Sequence, residues 1–194
     1  IKHKGFYFDV VVVASKSGKV FILERTSGKS LFDYELIEVK KSEIPGENVS
    51  KFQIKTIFPP SLMSQEIKES ELSKISDQIN KFVKDKYKTM ESGHYLPPKI
   101  NKDILIRGVS GGAQWMGGSV DTNGILYLPT NHIPWTIRIE TLQKNKNNLL
   151  PIDLNDSTST NNKKDIILRH KVEFFLDQFD NYGTKPPWGS LFAI

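Results

Sequence analysis

The sequence predicts an all-β fold, a partial β-propeller of antiparallel four-stranded blades with a helical insertion. Three observations carry this expectation. Short runs rich in β-branched and aromatic residues alternate with glycine turns. A phrase in which a glycine turn enters an apolar strand with an aromatic at one offset occurs three times: Ser17-Gly18-Lys19-Val20-Phe21-Ile22-Leu23, Asn123-Gly124-Ile125-Leu126-Tyr127-Leu128-Pro129 and Trp188-Gly189-Ser190-Leu191-Phe192-Ala193-Ile194. The copies lie further apart than the roughly 40–50 residues of a propeller blade, which requires insertions, and two candidate insertions are present.

Taken in chain order, Asp9 to Ala14 and Lys19 to Leu23 are apolar runs around the polar turn Ser15-Lys16-Ser17-Gly18, the pattern of a hairpin. A second turn, Arg25 to Lys29, leads to Ser30-Leu31-Phe32 and predicts a third strand of the same meander. From Ser64 to Lys88 the apolar positions Ile67, Leu72, Ile75, Ile79, Phe82, Val83 and Tyr87 recur at helical spacings without Gly or Pro, which predicts an amphipathic helix near 64–88. Near 144–164, Asn, Ser, Thr and Lys dominate, and a flexible polar loop is expected. The chain starts at Ile1 without Met and stops at Ile194 within an apolar run, so both ends are expected to be internal to a longer protein.

Composition excludes several classes. The net charge of +5 comes from lysines dispersed among acidic residues, not from a basic face with interleaved aromatics, so nucleic acid is not an expected partner. No cysteine is present, which removes disulfides, thiolate metal sites and C-x-x-C-H haem attachment. No run of about 18 apolar residues spans a membrane, and the first residues lack a signal-peptide design. His3, His94, His132 and His170 show no ligand spacing, and no Ser-His-Asp arrangement emerges.

The remaining signals are local. Lys16 sits in a tight turn at a sheet end, as a ligand-facing cation or as a solvated turn lysine. The segment from Gly108 to Gly118 sets five glycines around Gln114 and Trp115. Glycines admit close approach of a flat ligand, Trp stacks and Gln bonds a polar edge; a β-bulge with a core Trp has the same composition. Trp188 follows Pro186-Pro187 and enters a strand, as a pocket wall or as blade packing.

In sequence order, Val10–Gly28 (VVVVASKSGKVFILERTSG), Gly111-Gly112-Ala113-Gln114-Trp115 with Gly117-Gly118, Asp121–Pro129, and Lys185-Pro186-Pro187-Trp188-Gly189-Ser190-Leu191 resemble segments of the glucose dehydrogenase-like quinoproteins, which use pyrroloquinoline quinone (PQQ). The resemblance implies an eight-bladed propeller with PQQ near its axis, residues 1–194 being a fragment of that one domain and supplying three or four blades. It implies periplasmic oxidation of a small sugar or alcohol, with electrons leaving to an external acceptor such as a membrane quinone. By the same resemblance Lys16 hydrogen-bonds the quinone oxygens and stabilises charge developing there. Gln114 belongs to the cofactor's polar surroundings, and Trp115 and Trp188 to the pocket wall. The catalytic aspartate and the main Ca²⁺ ligands are expected upstream of Ile1, so no catalytic or metal-ligating residue is assigned in this chain and the isolated piece is expected to be inactive. A second reading is a propeller serving as an interaction scaffold without cofactor; a cation at position 16 is what separates the two.

Overall fold

The computed structural model describes residues 1–113, 117–145, 148–151 and 166–194. The described chain is mostly strand with one α-helix. The strands are β1 (Lys2–His3), β2 (Phe6–Tyr7), β3 (Val10–Ala14), β4 (Val20–Glu24), β5 (Tyr34–Glu38) and β6 (Phe52–Thr56). Helix α1 (Asp77–Lys88) follows, then β7 (Glu91–Ser92), β8 (Ile104–Ile106), β9 (Ser119–Val120), β10 (Leu126–Asn131), β11 (Trp135–Asn145), β12 (Asn148–Pro151), β13 (Ile166–Phe174) and β14 (Gly189–Ala193).

Among the described residues strands pair antiparallel except β7 and β8, a two-residue parallel contact through Glu91–Ile104 and Ser92–Leu105, and a single parallel bridge joins Ile100 to Ile139. Strands β3 and β4 pair in register Val10–Glu24 to Ala14–Val20, the hairpin expected from the two apolar runs. The expected third strand is reduced to a bridge between Leu23 and Ser30, with the Leu31 amide donating to the Ile22 carbonyl at 2.9 Å. Strand β10 lies between β9 and β14, so the second and third glycine phrases meet as neighbours, with Tyr127 opposite Ala193 and Asn131 opposite Gly189.

Two cores hold these pieces. In the first, Val20, Ile22, Leu62 and Leu128 pack with Val10, Val12, Leu126 and Phe192, joining the β3–β4 hairpin to the β10–β14 sheet. The pleat of β10 explains its share: Leu128 and Thr130 point inward at 2 % and 4 % exposure, two residues apart. The second core gathers Ile67, Leu72, Ile79, Val83, Leu105 and Phe175 around the helix.

The helix differs from the 64–88 segment expected from periodicity. Only Asp77–Lys88 is α-helical, opened by Ser76, whose Oγ accepts from the Ile79 amide at 3.2 Å, and burying Ile79 and Val83. Upstream the chain makes a single 3₁₀ turn at Glu69–Glu71 and runs extended at Leu72. The reason is tertiary. The Ser73 amide donates to the Gly183 carbonyl at 2.9 Å and the Lys185 amide to the Glu71 carbonyl at 2.9 Å, so this backbone pairs across the fold instead of along itself. Ile75 is correspondingly 72 % exposed. The loop expected near 144–164 is partly strand: β11 reaches Asn145 and Leu149 and Leu150 pair in β12, while the rest of that segment lies outside the described residues.

Candidate functional site

The Lys16 turn is built by its own backbone and by two segments that dock on it. The Ser15 amide donates to the Lys19 carbonyl at 2.8 Å, the Gly18 amide to the Ser15 carbonyl at 3.0 Å, and Ser15 Oγ accepts from the Lys19 amide at 3.0 Å. Gly18 has φ +79°, and a Cβ there would lie 2.7 Å from that of Met63, so only glycine fits. The Gly18 carbonyl accepts from the Leu62 amide at 2.8 Å.

On its other side the turn receives the glycine-rich segment. The Gly112 amide donates to the Lys16 carbonyl at 2.9 Å, and a Cβ on Gly108 or Gly112 would stand 2.6 or 2.7 Å from that oxygen. Gly108 and Gly112 therefore bring two backbones into contact. From the same segment the Gly112 carbonyl accepts from the Asn131 amide at 2.7 Å, and the next amide, His132, donates to the Trp188 carbonyl at 2.9 Å. One line of backbone bonds thus runs from Lys16 through Gly112 to the end of β10 and the start of β14.

Lys16 itself is exposed, and no carboxylate among the described residues pairs with its ammonium. With Ser15, Ser17, Gln65, Tyr95 and Arg107 it lines a cleft of about 450 Å³, closed on its apolar side by Ile106, Val109 and Ile137. Among the described residues no Asp or Glu lines it.

Trp188 does not reach this cleft. It is exposed, packs tilted against Tyr182 with ring centres 5.2 Å apart and donates from Nε1 to the Thr184 carbonyl at 3.1 Å. Its link to Lys16 is the backbone line alone. Gln114 and Trp115 lie outside the described residues.

Three residues of the cleft region had no functional reading from sequence. Arg107, 7 % exposed, donates through Nη2 to Glu71 at 2.7 Å and through Nε and Nη1 to the carbonyls of His132 and Glu66 at 3.2 and 2.9 Å. Its donors are consumed holding the 64–71 segment to the end of β10. Burial pushes the Glu71 carboxyl up, but the Lys68 amide and the Arg107 guanidinium outweigh that and hold it below its ordinary value. Gln65 and Tyr95 are joined, the Tyr95 amide donating to Gln65 Oε1 at 3.2 Å. The signal for Arg107 was its place directly after the apolar Ile104-Leu105-Ile106 run, where a charge must be paired if the strand is central.

Over residues 1–194 the chain matches the PQQ glucose/ethanol/alcohol dehydrogenase β-propeller domain, and it belongs to that family. Its relatives include the quinate/shikimate dehydrogenase (quinone) of Acinetobacter baylyi (strain ATCC 33305 / BD413 / ADP1), 24 % identical over 191 residues that make up 95 % of this chain and 23 % of that protein. The glycerol dehydrogenase large subunit of Gluconobacter thailandicus is 28 % identical over 148 residues, 74 % of this chain and 20 % of its own length. The chain therefore spans less than a quarter of these relatives. No solved structure matches it significantly.

Proposed function

We infer that the full protein is a PQQ-dependent dehydrogenase that oxidises a small polyol or related alcohol, and that the Lys16 cleft is this chain's share of the cofactor site. The single observation that carries the reading is a turn lysine that no carboxylate among the described residues pairs, at a cleft whose described lining offers donors and no carboxylate. That lining suits a flat, polycarboxylated quinone, and the glycine contact at Gly108 and Gly112 fixes the turn that presents the lysine. When bound, PQQ would supply the acceptor for a hydride from an alcohol's carbinol carbon, the hydroxyl proton being taken by a base.

This chain's residues bind and orient. Lys16 supplies a charge-assisted bond to a cofactor oxygen, strongest when that oxygen carries negative charge. Ser15, Ser17 and Gln65 add neutral donors at the rim. The eight-bladed ring, the periplasmic setting, an external acceptor such as a membrane quinone, and the aspartate base with Ca²⁺ ligands in segments before Ile1 belong to the same proposal. Among the described residues no three His, Asp or Glu side chains converge as a metal site requires. Gln114 and Trp115 are proposed as further cofactor contacts. Trp188 is proposed as a support of the wall, since its carbonyl is tied to the His132 amide at the end of the backbone line that starts at Lys16.

The test uses the full-length protein. PQQ binding and dye-coupled turnover with a panel of polyols and hydroxy acids are expected in the parent. Lys16→Ala should weaken both by the equivalent of about 1.5–3 kcal/mol with little change in melting temperature, and Lys16→Arg should keep part of each. A full-length protein that binds no PQQ would be a scaffold instead.

A further inference from the structure

Lys19 is 5 % exposed, yet no carboxylate among the described residues pairs with it. Buried ammonium groups are ordinarily paired, because an uncompensated charge costs several kcal/mol to desolvate. Here the ammonium donates to the Tyr95 hydroxyl at 2.5 Å and stands 4.2 Å from the centre of the same ring. The Tyr95 hydroxyl in turn donates to the Ile54 carbonyl at 3.3 Å, and the Tyr95 amide is held by Gln65. Tyr95 also adopts φ +52°, a region aromatic residues rarely occupy. Strain of that kind persists where surrounding contacts over-determine the position.

Tyr95 and Gln65 both line the Lys16 cleft. The ammonium of Lys19 therefore stands directly behind one wall of the cleft while Lys16 lines its mouth, and the two lysines belong to one turn, closed by the paired backbones of Ser15 and Lys19. We propose that Lys19 is a second cation of this cleft, a positioning residue that acts through Tyr95 to favour polyanionic ligands over neutral ones. The inference rests on the cofactor reading above. Its physical basis is that no acid among the described residues of the cleft lining compensates the charge, so its field reaches into the cleft. The alternative role, a lysine stem filling space beneath Tyr95, predicts no preference by ligand charge.

The experiment measures dissociation constants of the full-length protein for PQQ and for its neutral trimethyl ester. Lys19→Met is expected to weaken PQQ roughly four- to sixteenfold, the scale of one unit charge acting across about 10 Å at an effective dielectric near 20–40. The ester should weaken by no more than about twofold, and Lys19→Arg should stay near the parent for both ligands. Lys19→Gln removes the charge but keeps a donor for Tyr95; it carries the test if the Met variant does not fold. Equal loss for both ligands, or no loss in either neutral variant, overturns the role of Lys19 while leaving the cofactor reading in place. A parent that binds neither ligand overturns both, and is told apart because it fails before any substitution.

Discussion

At the scale of single residues, the geometry around Lys16 turns on atoms that are missing. Gly112 has an ordinary backbone conformation, so its glycine character is a matter of space: an added methyl would meet the Lys16 carbonyl at 2.7 Å and the Met63 methyl at 2.8 Å. Gly112→Ala is therefore expected to displace the turn and cost about 2 kcal/mol or more of stability. PQQ affinity should fall with it, although no side chain that binds has been altered. Melting temperature and PQQ titration check this together; an alanine variant with parental values for both would show that the two backbones do not need this contact. Glycine clustering at 108–118 was legible in the sequence, but which glycine touches what was not, because proximity to Lys16 is set by a pairing across nearly a hundred residues.

At the scale of elements, the fold followed the sequence where local pattern and tertiary pairing agree, and departed where they compete. Val10–Ala14 and Val20–Glu24 needed nothing beyond their own turn to find each other. The helix kept its C-terminal half, which has a serine cap and a buried face, and lost its N-terminal half to the 183–185 segment, an element with no mark in the local pattern. Strand β7, which follows that helix, is anchored through Glu91, which receives bonds from Lys102 at 2.6 Å and Lys99 at 2.9 Å and is held at about 2 rather than 4.5. A carboxyl depressed in the folded state contributes stability above its unfolded pKa and loses it as pH falls through the folded one. The melting-temperature gap between parent and Glu91→Gln should then be constant near neutrality, shrink below about pH 4.5 and close towards pH 2. A gap that persists undiminished at pH 2.5 would show that the ion cluster does not stabilise this junction.

At the scale of the whole molecule, sheets of two or three strands leave faces and edges uncovered. Val11 and Val13 on β3 are 44 % and 43 % exposed, and Leu36 on β5 is 62 % exposed. Of the four valines in a row, Val10 and Val12 are partly buried against the first core, while Val11 and Val13 face outward. Isolated two-stranded hairpins are marginal in water, and unpaired edges recruit other strands. A polypeptide of residues 1–194 made alone is expected to associate and to bind a hydrophobic dye. Sedimentation showing a monomer with a single cooperative transition would oppose that expectation. The family was legible because its motifs keep their order; the cleft was not, since Tyr95, Gln65 and Arg107 carry no motif and meet Lys16 only in three dimensions.

The bond between the His132 amide and the Trp188 carbonyl, 2.9 Å long, has a consequence for how this chain tolerates change. Residues 132 and 188 are the neck of an excursion: the polypeptide leaves β10, makes the long β11–β13 ladder, and returns to the spot it left as β14. Because the neck is closed by the β10–β14 ladder, extra length at the end of the excursion away from Ile137 costs little beyond loop closure, about 0.6 kcal/mol for each doubling. Insertions and deletions at the far end of the hairpin are thereby insulated from the Lys16 turn. Change near Ile137, which lines the cleft and lies on the strand paired with β8, has no such insulation.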